Sequence, residues 1–275
     1  MQGWLACALL TALAGCTAGH PAPALERGSI RPPSAVHLAL RPYFRGLRTV
    51  EMRIGDAAFT LLVDTAGGRT LLTPNVAAKL GCMPRGREVG YRMNGDSVAF
   101  RTCPDLRASI SGMALHLAPF AVFDIAALLP KELPALDGVL ALDAFRGQVV
   151  TLDWERNEIV VSGDGDGVPP GAVPLRFATG ETGGALSVLL PVQGALDRMW
   201  FLLDSGNVRG TLLDRHAVSD EFVTIAADST VRLTVGNTAA EVLPVIVDDI
   251  NFDGVLGTHY LQAHAVTLDL RGAPQ

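Results

Sequence analysis

The stretch "FTLLVDTAGGRTLL", residues 59–72, ends an apolar run on an aspartate, and nearly the same phrase returns as "WFLLDSGNVRGTLL", residues 200–213. When the two phrases are superimposed, Asp64 matches Asp204. A single aspartate at the end of an apolar strand is more often a cap or an ion-pair partner than a catalyst. Two aspartates in matching phrases predict instead that the chain is a duplicated unit and that they act together.

A second pair of matching phrases lies downstream of the first pair. "LDGVLALDAFRGQVVTLDW", residues 136–154, matches "FDGVLGTHYLQAHAVTLDL", residues 252–270. Each half of the chain therefore has the same order: a hairpin, an aspartate loop, a middle section, an Asp-Gly-Val-Leu phrase and a Thr-Leu-Asp strand. The short apolar runs, with 29 glycines and 17 prolines between them, predict a mainly β protein with a few short helices.

The middle section is longer in the first half, where it contains a clear hairpin signal. In "EVGYRMNGDSVAF", residues 88–100, the dipeptide Asn94-Gly95 predicts a two-residue turn. The predicted register places Met93 opposite Asp96, Tyr91 opposite Val98, Val89 opposite Phe100 and Glu88 opposite Arg101. A short helix is predicted ahead of this hairpin, with Thr73 as its N-cap and Gly81 as its C-terminal stop.

The length and charge of the chain limit its class. It has 275 residues, of which 49% are hydrophobic and 18% charged, which allows a sizeable core and favours about two domains. The net charge is −6 and no basic block is present, so the sequence has no electrostatic footprint for nucleic acid. The six histidines have no zinc-binding spacing, and neither a phosphate-binding Gly-Lys-Ser/Thr loop nor a Gly-x-Ser-x-Gly elbow occurs.

The first 15 residues are typical of a signal peptide. The segment "WLACALLTALAGC", residues 4–16, is apolar, too short to span a bilayer, and ends on small residues. Its last four residues, Leu13 to Cys16, resemble the bacterial lipobox. That resemblance implies cleavage before Cys16, lipid on its sulfur, and a lipoprotein of the cell envelope on the periplasmic side, at the outer membrane. No Lys or Arg precedes the apolar segment, and an ordinary secretory signal or a simple membrane anchor are the alternatives.

Export determines the chemistry expected for the remaining cysteines. Cys7 would leave with the signal peptide and Cys16 would carry the lipid, which leaves Cys82 and Cys103 in an oxidising compartment. Two thiols in such a compartment usually pair, so a disulfide between them is predicted. The alternative is a metal site, but no His or Cys cluster accompanies the two cysteines, and no metal is expected.

Composition also predicts the divisions of the chain. They are a signal peptide at 1–15, a lipidated cysteine and flexible tether at 16–37, an N-terminal lobe at 38–162, an interlobe linker at 163–172 and a C-terminal lobe at 173–275. The tether range is rich in Pro, Gly, Ala and Ser, as linkers are. The linker contains Asp164 and Asp166, but a calcium loop that began at Asp164 would need glutamate where Leu175 stands.

The repeated phrases resemble those of a known family. "DTA", residues 64–66, and "DSG", residues 204–206, each after an apolar strand, are similar to the Asp-Thr/Ser-Gly loops of pepsin-like and retropepsin-like aspartic proteases. "DGVLALDAF" and "DGVLGTHYL" resemble the segments that close each lobe in that family, and the hairpin in the first half resembles its single flap. The resemblance covers about residues 48–271. It implies an all-β, two-lobed acid protease fold.

The resemblance also implies an activity, an aspartic endopeptidase that needs no cofactor. Asp64 and Asp204 would share one proton, titrate as a unit and activate a water molecule that hydrolyses a peptide or an unfolded protein. The supporting residues that it implies are Thr65 and Ser205, which bond across the lobe junction, Tyr91 or Met93 of the flap, and Ala66 and Gly206 of the cleft floor. Asn207 stands where pepsins usually have a hydroxyl residue, and its side chain can still hydrogen-bond to Asp204. Because one chain supplies both halves, a monomer is expected.

The first half departs from the family pattern at three positions. Ala66 stands where the family has glycine, and Ala141 stands where the second half has Gly257. Because glycine is used where chains approach closely, the methyl group of Ala66 is expected to narrow the cleft floor beside Asp64. Gly67 replaces a hydroxyl residue and offers no side-chain hydrogen bond. A second hypothesis therefore stays open: a catalytically weak or inactive lipoprotein that keeps the fold to bind peptides or a partner protein.

Overall fold

The computed structural model describes most of the chain. The described residues are 28–29, 34–117, 119–163, 167, 170–180, 184–194, 198–219 and 223–274. The predicted signal peptide, Cys16, and the linker residues Asp164 and Asp166 lie outside them. In this part of the chain no helix is long and apolar enough to cross a membrane.

Strands dominate the described residues. In chain order they are β1 Gly28–Ser29, β2 Val36–Ala39, β3 Arg41–Pro42, β4 Arg48–Ile54, β5 Ala57–Val63, β6 Leu71–Leu72, β7 Arg85–Tyr91, β8 Ser97–Cys103, β9 Leu106–Ile110, β10 Met113–Leu117, β11 Phe120–Val122, β12 Gly138–Leu140, β13 Val149–Asp153, β14 Glu158–Val161, β15 Arg176–Ala178, β16 Ser187–Gln193, β17 Arg198–Leu203, β18 Thr211–Asp214, β19 Thr230–Val235, β20 Glu241–Asp248, β21 Gly254–Leu256 and β22 Val266–Asp269. The helices are α1 Pro74–Lys79, α2 Arg215–Ser219 and α3 Thr258–Ala263, with 3-10 turns at Ile125–Leu128 and Leu142–Phe145.

Within the described residues the strands form three sheets. The first half builds an eleven-stranded sheet in the order β1-β10-β9-β4-β5-β12-β6-β11-β8-β7, with β3 paired to β4. The second half builds a seven-stranded sheet in the order β15-β16-β17-β21-β18-β20-β19. A four-stranded sheet, β2-β14-β13-β22, contains strands from both halves. This architecture confirms the predicted all-β, two-lobed fold.

The four-stranded sheet places the two Thr-Leu-Asp strands side by side. β13 and β22 are antiparallel, with Thr151 opposite Thr267, and the hydroxyl groups of these threonines hydrogen-bond at 2.8 Å. Equivalent residues of the two halves therefore face each other, as residues do beside a two-fold axis. The sequence repeat is also a structural repeat.

Each half threads its Asp-Gly-Val-Leu strand between two partners. β12 is parallel to β5 and antiparallel to β6, and β21 has the same relation to β17 and β18. A side chain on Gly138 would overlap the carbonyl oxygen of Leu71, and one on Gly254 would overlap the ring of Phe201. The repeated glycine is therefore required by close packing.

The aspartate of the same phrase anchors each threaded strand to its neighbour. Asp137 accepts a hydrogen bond from the Thr60 N–H at 2.8 Å, and Asp253 accepts one from the Trp200 N–H at 2.7 Å. Asp137 and Asp253 thus hold β5 and β17, the strands that lead to Asp64 and Asp204. Their repetition in the sequence has a structural cause.

The hairpin formed by β7 and β8 is called the flap here, and its register differs by one residue from the prediction. Tyr91 pairs with Ser97. The Arg92 N–H bonds to the Asp96 carbonyl at 2.8 Å and the Gly95 N–H to the Arg92 carbonyl at 2.9 Å, so the loop has three residues. Gly95 ends it in the left-handed region, with φ at 85°. The predicted two-residue turn is wrong because Asn-Gly also suits a type I turn followed by a left-handed glycine.

The observed register sorts the flap residues onto two faces. One face carries Glu88, Gly90, Val98 and Phe100 and is partly buried, whereas the other carries Val89, Tyr91, Ser97 and Ala99 and is exposed. Glu88 lies opposite Phe100, so its predicted pairing with Arg101 is wrong.

The base of the flap is fixed to the helix that precedes it. Cys82, just after α1, is joined by a disulfide to Cys103 at the end of β8, with the Cα atoms 6.3 Å apart. α1 begins as predicted, because the Thr73 hydroxyl caps it by accepting a hydrogen bond from the Val76 N–H at 3.4 Å. The end of β8 is therefore the fixed end of the flap.

The predicted tether is too long at its C-terminal end. Gly28–Ser29 pairs with β10, at the edge of the first sheet, and Val36–Ala39 pairs with β14. Composition did not indicate these strands, since they are short and follow a Pro-rich segment. Leu38, the first residue of the predicted N-terminal lobe, is fully buried within β2, which explains why the strand extends back to Val36 in the tether range.

Candidate active site

Asp64 and Asp204 come directly after β5 and β17, and the threaded strands fix both of them. The Asp64 N–H bonds to the Leu140 carbonyl at 3.0 Å, and the Asp204 N–H bonds to the Leu256 carbonyl at 2.9 Å. The two carboxyl groups lie close enough for each to shift the pKa of the other, and a Cβ atom on Gly206 of the second loop would lie 2.9 Å from Cγ of Asp64. Asp204 is 5% exposed, whereas Asp64 is only half-buried. The structure thus brings the two predicted aspartates together at the lobe junction.

The neighbouring hydroxyl residues cross that junction in a symmetric lattice. The Thr65 hydroxyl donates to the Leu203 carbonyl at 2.6 Å and accepts from the Ser205 N–H at 2.9 Å. In the same way the Ser205 hydroxyl donates to the Val63 carbonyl at 2.9 Å and accepts from the Thr65 N–H at 3.0 Å. Thr65 and Ser205 are almost completely buried. Four hydrogen bonds therefore tie the two aspartate loops together, as the sequence predicted for these residues.

Backbone N–H groups at each loop point at the carboxylates. The Ala66 N–H donates to Asp64 Oδ1 at 3.0 Å, and the Gly206 N–H donates to Asp204 Oδ1 at 2.8 Å. The next backbone N–H in each loop, that of Gly67 or Asn207, donates to the backbone carbonyl of the aspartate at 3.2 Å and lowers the pKa of its carboxyl group. Gly67, which offers no side chain, therefore still supports Asp64 through its backbone.

Asn207 supports Asp204 in a different way from the one predicted. Its side-chain amide donates to the Gly210 carbonyl at 2.9 Å and accepts from the Arg209 N–H at 2.9 Å. The predicted side-chain bond from Asn207 to Asp204 is wrong, because the amide is used to close its own turn. Asn207 instead reaches Asp204 through its backbone N–H, which donates to the Asp204 backbone carbonyl at 3.2 Å.

Burial raises the pKa of both carboxyl groups above their ordinary value. For Asp204 the pKa is raised well above that value, first by burial and then by the negative charge of Asp64. For Asp64 the pKa is raised by burial and partly lowered again by the Ala66 and Gly67 N–H groups. Two carboxyl groups in contact do not both ionise readily, so the pair holds one proton over a range of mildly acidic pH.

The floor of the site is not symmetric at the third residue of each loop. A Cβ atom on Gly206 would lie 2.9 Å from Cγ of Asp64, so glycine is needed there. A Cβ atom on Gly67 would lie 3.3 Å from the same Cγ atom. Ala66, the counterpart of Gly206, packs against an apolar cluster of the second lobe. This cluster consists of Leu202, Leu212, Ile250 and Val255 and is called the C-terminal apolar cluster.

The flap reaches the same cluster with one of its two predicted contact residues. Met93 is partly buried and packs against the C-terminal apolar cluster. Its carbonyl accepts a hydrogen bond from the Asn251 N–H at 2.8 Å. Tyr91 is 66% exposed and lies on the outer face of the flap, so the structure does not place it over the aspartates. The flap contact is made by the tip.

A buried arginine that the sequence did not single out joins the aspartate loop to the flap. Arg69, five residues after Asp64, is 6% exposed and forms a salt bridge with Glu88 at 3.3 Å. Its guanidinium occupies the space in which a side chain on Gly184 would stand. Arg69 matches Arg209 when the two aspartate phrases are superimposed. The match does not indicate a buried arginine, because Arg209 is largely exposed and pairs with Asp248.

A third buried carboxyl group lies behind the first aspartate loop. Asp143 accepts hydrogen bonds from the Thr70 N–H at 2.8 Å and the Thr70 hydroxyl at 2.6 Å, and burial raises its pKa. The Thr70 hydroxyl in turn accepts from the Ala141 N–H at 3.1 Å. Asp143 therefore braces the loop rather than facing the aspartate pair.

Comparisons with known proteins identify the fold and no family. No protein-family model matches the sequence, and no curated protein matches it. Among solved structures, the chain is similar to basic 7S globulin from soybean, at 11% sequence identity and a TM-score of 0.55, over 87% of this chain and 93% of that one. At this identity the similarity supports a pepsin-like fold alone.

Proposed function

We propose that the protein is an aspartic endopeptidase that hydrolyses peptide bonds through Asp64, Asp204 and a water molecule. The observation that carries this proposal is the close approach of the buried carboxyl group of Asp204 and the half-buried one of Asp64, whose pKa values are both raised. A pair that holds one proton offers a base and an acid at the same place. The N–H groups and hydroxyl residues around the pair fix its geometry, as acid–base chemistry requires.

The proposed reaction follows from the unequal burial of the two carboxyl groups. Asp204 is more deeply buried and holds the shared proton, while Asp64 is ionised. Asp64 takes a proton from the water as its oxygen adds to the peptide carbonyl carbon, and Asp204 gives its proton to the carbonyl oxygen. In the second step Asp64 protonates the nitrogen as the C–N bond breaks, and Asp204 recovers a proton from the new carboxyl group. The products are an amine and an acid, and the pair returns to its starting state.

Digestion of an unfolded protein tests this proposal. A soluble form that begins just after Cys16, and so keeps β1, should cleave such a substrate between about pH 3 and 7, where a shared proton is available. Asp64→Asn and Asp204→Asn should each abolish cleavage. Asp153→Asn is the matched control, because Asp153 is a buried carboxyl group of β13, outside both aspartate loops. Cleavage that persists in Asp204→Asn would exclude the proposed mechanism.

The second candidate is a protease-fold protein that binds peptides or a partner protein with little or no catalysis. Two observations favour it: Asp204 is 5% exposed, and the flap tip is hydrogen-bonded to the second lobe. Ala66→Gly separates the two candidates. In a working enzyme the added room on the floor should raise the cleavage rate. In a binding protein neither wild type nor Ala66→Gly should cleave, although a peptide would still bind.

We also propose that the protein is a lipoprotein of the bacterial envelope, held to the membrane through Cys16. The lipobox-like ending of the apolar segment supports this location. Cys16→Ser should release the protein from the membrane fraction or block its maturation, and mass spectrometry of the wild type should find lipid at the new N-terminus. Unchanged fractionation of the variant, without lipid on Cys16, would overturn this part of the proposal.

A further inference from the structure

The tip of the flap is docked on the second lobe. The Met93 carbonyl accepts a hydrogen bond from the Asn251 N–H at 2.8 Å. Gly95 lies against the same residue, since a Cβ atom on it would be 3.3 Å from Nδ2 of Asn251. The tip therefore makes a backbone hydrogen bond to the loop between β20 and β21.

The side chain of Met93 completes an apolar surface next to the aspartate pair. Leu202 of this surface lies two residues before Asp204, on β17, and pairs with Val255 of β21. Met93 packs against the C-terminal apolar cluster from the flap, and Ala66 packs against it from the first aspartate loop. Leu189 and Phe252 of the second lobe also pack against the cluster, so residues of both lobes cover it.

The equivalent surface of the first lobe is covered differently. Its cluster contains Leu62 and Val139, which match Leu202 and Val255 in the repeat. There Tyr43, Phe44 and Leu129, all of the first lobe, pack against the cluster. Val208 of the second aspartate loop also packs against this cluster, just as Ala66 of the first loop packs against the cluster of the second lobe. Only the second lobe's cluster receives a residue from the flap tip, among the residues described.

We propose that the flap tip is an internal ligand of the second lobe, which a substrate residue must displace. Met93 offers a carbonyl to a backbone N–H and an apolar side chain to a pocket, as a residue of an extended bound peptide does. The pocket residues Leu202, Leu212, Ile250 and Val255 are all aliphatic. A substrate residue that takes the place of Met93 should therefore be Met, Leu or a similar flexible apolar residue, and a charged residue should be rejected.

Movement of the flap would be limited to its tip. The Cys82–Cys103 disulfide fixes the end of β8, and the Arg69–Glu88 salt bridge ties β7 to the first aspartate loop. Between these anchors and the tip, Val89 and Tyr91 are exposed on the outer face. Release of the Asn251 hydrogen bond and withdrawal of Met93 would open the cleft and empty the pocket in one step.

The state of the tip can be measured without any catalysis. Met93→Ala removes the side-chain contact but leaves the core of both lobes intact. Exchange of the Asn251 amide hydrogen, followed by NMR, should become about tenfold faster in this variant, because the closed state loses a partly buried contact. Trypsin cleavage after the exposed Arg92, identified by mass spectrometry, should accelerate in parallel. Val89→Ala, at an exposed position of the same hairpin, is the control and should change neither rate.

Peptide binding tests the second half of the inference, which rests on the proposed function in taking this cleft as the substrate site. The protein used is Asp204→Asn, and the probes are ten-residue peptides that differ only in a central Met, Leu, Lys or Asp. The Met and Leu peptides should bind, and adding Met93→Ala should tighten their binding about tenfold, since the internal competitor is gone. The Lys and Asp peptides should not bind.

The outcomes separate this inference from the proposed function. Unchanged amide exchange and trypsin cleavage in Met93→Ala would overturn the inference, even if the wild type digests protein. Equal affinity of the Met and Leu peptides for the two proteins would also overturn it. Faster exchange and tighter binding, together with a wild type that digests nothing, would support the internal ligand and exclude the endopeptidase.

Discussion

Replacement of Gly206 by alanine should displace the carboxyl group of Asp64 and leave the backbone unstrained. The new Cβ atom would lie 2.9 Å from Cγ and Oδ2 of Asp64 and 3.0 Å from Oδ1, where ordinary contacts are 3.4–4 Å. Gly206 is not among the glycines with positive φ, so alanine can adopt its conformation. The carboxyl group would have to move by about 0.5 Å to relieve the overlap.

The carboxyl group of Asp64 cannot move by this amount without losing a hydrogen bond. The Asp64 carboxylate accepts a hydrogen bond from the Ala66 N–H at 3.0 Å, and it faces Asp204. Because a misplacement of about 1 Å can lower a rate about 100-fold, we expect kcat/KM to fall about 10- to 100-fold. The overlap should also lower the free energy of unfolding by about 1–3 kcal/mol.

The assay is cleavage of an unfolded protein or a peptide at the acidic optimum, with chemical denaturation measured in parallel. Gly272→Ala is the matched control, because a Cβ atom there meets nothing within 4 Å. It should leave both the rate and the stability unchanged. Wild-type activity and stability in Gly206→Ala would refute the placement of Asp64 against the second loop.

Three further predictions concern the residues around the aspartate pair. Asp204→Asn should stabilise the protein at neutral pH. Because the pKa of Asp204 is raised in the folded state, the folded protein binds more protons than the unfolded chain. The stability of the wild type therefore falls as the pH rises from the ordinary value of 3.8 through the folded pKa. Each unit of pKa shift removed is worth about 1.4 kcal/mol, so the melting temperature of the variant should exceed that of wild type at pH 7, and the difference should vanish well below pH 3.8. Thr65→Val should lower the free energy of unfolding by about 2 kcal/mol in urea denaturation, because it leaves the Ser205 N–H buried without its acceptor, and no loss would contradict the lattice. Reduction of the Cys82–Cys103 bond, with its sequence separation of 21, should cost about 3 kcal/mol, and free thiols at both positions in protein from an oxidising compartment would reject the pairing.

Features that depend on the repeat could be predicted from the sequence. The two halves must pack the same threaded strand, so Gly138 and Gly254 recur, and so do the aspartates that precede them. The crossing of Thr65 and Ser205 follows from the same symmetry, since each hydroxyl residue must satisfy the opposite loop. A structural requirement that is present in both halves therefore selects the same residues in both halves.

Features that depend on a choice between equivalent local solutions could not be predicted. Asn94-Gly95 suits both a two-residue and a three-residue loop, and the difference of one residue decides which side chains face the cleft. Asn207 can bond to a carboxylate or close its own turn, and the short local bond wins. Arg69 and Arg209 match in the repeat but lie in different environments, because Arg69 pairs with Glu88 of the flap and Arg209 pairs with Asp248.

The asymmetry between the halves has a consequence for how the site would open. The floor is symmetric because each loop supplies the hydroxyl residue that the other needs, and any departure there would leave buried groups unpaired. Above the floor this requirement ends and the halves diverge: within the described residues only the first half has a flap, and it has Ala66 where the second has Gly206. Both Ala66 and Met93 of the first lobe pack on the cluster of the second. The flap must therefore move for Met93 to leave the pocket, whereas Ala66 stays in place on the floor. Because Ala66 still covers part of the four aliphatic residues, the pocket that a substrate meets would be shallower than those residues alone would make it. Ala66→Gly should accordingly shift the preferred residue in the peptide series from Leu toward the longer Met, and an unchanged preference would show that Ala66 does not line the emptied pocket.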